Sequence, residues 1–60
     1  MASIDPADVQ GAKGMLLERM RSQKLNLAEA FEQLMAEKAG KQNEIIFGEA
    51  MGALKQQGYR

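Results

Sequence analysis

"SQKLNLAE", residues 22–29, decides how this chain folds. Neither Pro nor Gly interrupts it. The residues on either side therefore belong either to one long rod or to two helices meeting here. Asn26 and Glu29 argue for two. Asn is a strong N-cap, and a Glu three residues later can reach back to the cap's own amide, forming a capping box. Leu27, Ala30, Phe31 and Leu34 then follow at helical spacing as an apolar stripe, with Met35 beside it. Glu29, Glu32, Gln33 and Glu37 fall on the other side.

Working back from that stretch, Pro6 suits a first helical position, with Asp5 as N-cap and Asp8 in an acidic first turn. Val9, Ala12, Leu16 and Met20 share one face, with Leu17 at its margin, while Gly14, Glu18, Arg21 and Ser22 occupy the opposite one. Gly11 and Gly14 each weaken this helix by roughly 1 kcal/mol relative to Ala. Working forward, Lys38 near a helix end complements the dipole and Gly40 offers a left-handed C-cap. Asn43 is a candidate N-cap for a third helix, with Glu44 in its first turn and Gly58 to stop it. The sequence thus predicts an all-α fold: one small domain over 1–60, with helices at about 6–23, 27–39 and 43–57, and with 1–4 and 58–60 frayed. The alternative, if residues 23–26 stay helical, is a helical hairpin that completes its core by dimerising.

Composition excludes much of chemistry. The chain has 60 residues, no Cys and no His, which removes disulfides, zinc fingers and the commonest nucleophile–base pairs. Ser occurs only at 3 and 22. The carboxylates are spaced as solvated helix faces, and a chain this short can hardly enclose a substrate. The sequence therefore points away from an enzyme and from any cofactor or metal. A domain of this size buries only about 60% of its unfolded surface. Without staples it rarely gains more than roughly 3–5 kcal/mol from its core, so an association partner is the remaining common staple. The apolar runs Met15–Leu17 and Ile45–Phe47 are three residues long, far short of a membrane span. The N-terminus lacks a basic start followed by an apolar core, so no secretory signal is expected and the location expected is cytoplasmic, in a bacterium or phage setting.

The segment "EIIFGEAMGAL", residues 44–54, carries the candidate functional surface. On a helix, Ile46, Phe47, Ala50, Met51, Ala53 and Leu54 spread over nearly half the circumference. A surface helix needs an apolar stripe of only about 100°. Ile45 stands apart, on a side shared with Gly48 and Gly52. One reading makes this the central helix, packed on both others. The sharper reading makes part of the arc an interface formed by Ile45, Phe47, Gly48, Met51, Gly52 and Leu54, since exposed apolar patches mark partner sites. Five methionines suit an adaptable contact surface. The expected function is a non-enzymatic protein–protein interaction module: a small regulator, inhibitor or assembly factor that binds itself or another protein.

Nucleic-acid binding is the alternative. Lys plus Arg equals Asp plus Glu at eight each, so no net positive charge drives phosphate binding. A local basic patch could still act through Arg19 and Arg21, or through Lys41 and Asn43. Two resemblances bear on this. Ala36, Gly40 and Ile46 have the spacing of a helix-turn-helix over 32–50, similar to small phage repressors whose second helix enters the major groove. However, Ala36 lies opposite the Leu27–Phe31–Leu34 stripe, and the would-be reading helix carries Glu44 and Glu49 and no Arg. "RSQKLNLAEAFEQL", residues 21–34, is similar to a stretch of the Rop family of plasmid copy-number regulators, helical hairpins that dimerise into a four-helix bundle and bind paired RNA loops. That resemblance implies a continuous helix with Leu27, Phe31 and Leu34 in the dimer seam. Lys13 and Lys24 fall where it would need core residues.

Overall fold

The computed structural model describes residues 4–60; of the predicted frayed ends, residues 1–3 lie outside the described residues. Three helices follow one another: α1 (Pro6–Gln23), α2 (Leu27–Glu37) and α3 (Lys41–Gln56). Each packs against both of the others, and among the described residues there is no strand.

The junction at 24–26 is a break, closed from both sides. Lys24 adopts the left-handed conformation (φ 56°, ψ 49°) and its amide donates to the Met20 carbonyl. The Leu25 amide also donates to Met20, at 3.0 Å, the six-to-one bond of a Schellman-type end. On the far side the capping box is complete. The Glu29 amide donates to Asn26 Oδ1 at 2.8 Å, and the Asn26 amide donates to Glu29 Oε1 at 3.0 Å. A left-handed non-glycine residue costs about 1–2 kcal/mol, so the break is held against local preference by the box and by packing. The single rod required by the hairpin alternative and by the Rop-like resemblance is therefore absent.

At α1's start Asp5 caps as expected, its side chain accepting from the Ala7 amide at 3.0 Å. Two other boundaries differ from expectation. α2 stops at Glu37 rather than 39, because Lys38 leaves the helical region (φ −121°, ψ 58°). α3 begins at Lys41 rather than 43, because Gly40 (φ 139°, ψ 146°) makes the turn and its carbonyl accepts from the Glu44 amide. Only glycine adopts that backbone readily. Asn43 is consequently inside α3, where its Nδ2 donates to the Lys38 carbonyl and closes the end of α2.

Main-chain hydrogen bonds run through the C-terminal residues 58–60, where the sequence predicts fraying. Gly58 is left-handed (φ 100°). Its amide donates to Lys55, and the Tyr59 amide donates to Leu54, which together make a full Schellman end. The main-chain oxygen of Arg60 then accepts from the Leu27 amide at 2.8 Å, satisfying a donor at α2's open N-terminus.

The core is Ala12 and Leu16 from α1, Leu27, Ala30 and Leu34 from α2, and Ile46, Phe47, Ala50 and Leu54 from α3. The three alanines, one per helix, let the backbones approach while the leucines interdigitate. Val9, Leu17, Met20, Phe31, Met35 and Met51 pack around the margin. The radius of gyration is 10.8 Å, near the roughly 10 Å of a compact chain of this length. Among the described residues no buried side-chain nitrogen or oxygen lacks a partner. One copy thus closes a core of its own.

Candidate interaction surface

The apolar width of α3 divides between inside and outside. Phe47, 4% exposed, and Leu54, fully buried, belong to the core between the helices. Phe47 shows only an edge to a hollow it lines with Gly11, Met15 and Ile46, and Leu54 is closed off, so neither lies on the exposed flank that carries Ile45. The reason is geometric: they share one side of α3 with Ile46 and Ala50, and α1 and α2 both dock there. The wide arc is thus largely what a helix packed on two neighbours requires.

What remains outside is narrower. Ile45 is 49% exposed, the most exposed large aliphatic side chain among the described residues. Gly52 beside it is exposed, and Gly48 and Met51 are half-buried. A Cβ built at Gly48 or Gly52 meets no atom within 4 Å. Neither glycine is there to admit a neighbouring helix of the same chain. One turn before Ile45 stands Lys41 and one turn after it Glu49, both exposed. Among the described residues neither takes part in an ion pair.

The alternative basic set is dispersed and partly engaged. The Arg19 guanidinium holds Glu37 through both terminal nitrogens and donates to Gln33 Oε1 at 3.0 Å. Gln33 in turn donates to Gln23 Oε1 at 2.9 Å. This chain of polar groups staples α1 to α2. The hydrogen bond and attraction from Glu37 push the Arg19 pKa further up, and those from Arg19 hold the Glu37 carboxyl below its ordinary range. Arg21 lies 3.5 Å from Glu18. Asn43 is committed to the α2–α3 turn, leaving Lys41 as the unengaged member of the four. Ala36 is exposed rather than packed against α3, so the defining contact of a helix-turn-helix is missing.

Three surface hollows among the described residues each hold at most one carboxylate. One is lined by Leu17, Met20, Arg21, Leu25 and Tyr59, another by Asn26, Leu27, Ala28, Lys55 and residues 58–60. Among the described residues, no cluster of three acidic side chains could hold a metal ion, and no helix is long and apolar enough to cross a membrane. Compared with known proteins, the chain matches no family model, no curated protein and no solved structure.

The helical wheel sets Ile45 apart from the buried arc, and its side chain is exposed. Sequence reasoning missed the Arg19–Glu37 staple, whose partners lie 18 residues apart on different helices; no local pattern links them.

Proposed function

We propose that this chain is a non-enzymatic protein–protein interaction module, a small regulator, inhibitor or assembly factor of the cytoplasm that acts through the outer flank of α3. The observation that carries the reading is the half-exposed Ile45 on a face shared with Gly48 and Gly52, flanked by Lys41 and Glu49, which have no ion-pair partner among the described residues. An apolar side chain kept in water beside glycines gains by being covered, and the missing Cβ atoms let a partner come close. The sequence supplies no Cys or His for catalysis. The engagement of Arg19 by Glu37 weighs against phosphate binding at that position.

The test places a photo-activated cross-linking amino acid at position 45 and, as a control, at exposed Glu32 on α2. Protein adducts formed from position 45, reduced by excess wild-type chain but not by an Ile45→Asp chain, are the expected result. Equal labelling from both positions would overturn the reading.

A further inference from the structure

Resting on that reading, we propose that the partner is a second copy of this chain, with the two α3 helices crossing antiparallel about a two-fold axis beside Ile45. Lys41, Ile45 and Glu49 recur every fourth residue and are all exposed, so they form one continuous ridge on α3. Ridges of this kind pack side by side when two helices cross at about −50°, the commonest packing of helices in globular proteins.

The order of charges along the ridge selects the partner. A two-fold interface uses the same patch twice, so the patch must complement its own reversed image. Reversing Lys41–Ile45–Glu49 about its middle residue puts Lys41 beside Glu49 of the second copy and Glu49 beside Lys41 of the second copy. Ile45 then meets Ile45 between the two ion pairs. A parallel arrangement would put like charges together, so the ridge specifies direction as well as partner. Among the described residues Lys41 and Glu49 have no ion-pair partner within the chain, so both are available for one outside it. In this register Gly52 falls opposite the α2–α3 turn of the second copy, where the absent Cβ leaves room. The apolar area is small, so the dimer is weak and concentration-dependent, and salt weakens it further by screening both pairs.

Sedimentation of the full chain from micromolar to millimolar concentration tests the pairing. The wild type should shift from monomer to dimer, and Ile45→Asp should stay monomeric with an unchanged helical circular dichroism spectrum. Lys41→Glu and Glu49→Lys should each dimerise about tenfold more weakly, since each turns two attractions into two repulsions. An equimolar mixture of those two variants should associate again, because every pair becomes complementary. The doubly reversed K41E/E49K chain should recover self-association. A wild type that stays monomeric throughout, or charge variants that associate as the wild type does, would overturn the pairing. A monomer that nevertheless cross-links from position 45 to a different protein would overturn the self-pairing alone and leave the interaction module standing.

Discussion

Arg19 on α1 and Glu37 on α2 meet in a two-pronged ion pair, with nitrogen–oxygen distances of 2.5 and 2.8 Å. Of the two ion pairs among the described residues, this one links different helices; the Arg21–Glu18 pair lies within α1. Glu37 is half open to solvent, with 52% of its side chain exposed, so screening keeps the stabilisation modest. Its pH dependence has a definite sign. The folded-state pKa of Glu37 is depressed, so its stabilisation is fully present above the unfolded carboxylate pKa and disappears as pH falls through the lower folded value. Thermal melts should show the wild type losing more stability than Glu37→Gln as pH falls through and below the ordinary glutamate range. At neutral pH both Glu37→Gln and Arg19→Ala should melt slightly earlier than the wild type. Parallel curves for wild type and Glu37→Gln would contradict the pairing.

Core truncation should have a far larger effect. Leu34 is fully buried, and Leu→Ala in a core costs about 2–5 kcal/mol. That matches the roughly 3–5 kcal/mol that a core of this size supplies in total. Leu34→Ala should therefore lose its cooperative urea transition. Phe47→Asp should unfold the chain outright, which separates Phe47 from Ile45, whose Asp variant should keep its helical spectrum.

The break between α1 and α2 depends on Asn26. Asn26→Ala removes the acceptor for the Glu29 amide and should cost about 1 kcal/mol, read as a lower urea midpoint with unchanged slope. Asn26→Asp retains an acceptor and should lie near the wild type.

Glycines separate by backbone. Gly11 and Gly14 lie inside α1 with open space where a Cβ would go, so Gly11→Ala and Gly14→Ala should each stabilise by about 0.5–1 kcal/mol. Gly58 has φ 100°, so Gly58→Ala should destabilise by about 1 kcal/mol or more. Chemical denaturation of the three variants checks both signs.

The fold was legible where a signal was local. Asp5–Pro6, the Asn26–Glu29 box and the stripes from Val9 and from Leu27 each act within one helix, and all four were found where the residues predicted them. The errors fell where two elements compete for the same residues. Asn43 resembles an N-cap, but Gly40 can turn the chain earlier, and the side chain of Asn43 then serves α2 instead. On the candidate surface, a wheel counts apolar positions without knowing how many neighbours cover them. It therefore placed Phe47 and Leu54 in an interface, although two docked helices claim that side of α3. Ile45 is separable on the wheel, because it stands off the arc.

The bond from the Leu27 amide to the Arg60 oxygen has a consequence for exchange with solvent. Amides in the first turn of a helix ordinarily exchange their hydrogen quickly through fraying at that end. The amide of Leu27 is covered by the far end of the chain, so its exchange requires release of residues that follow α3. Its protection therefore reports the departure of the last segment from the bundle, and one peak in a hydrogen-exchange spectrum follows the ring closed between positions 27 and 60.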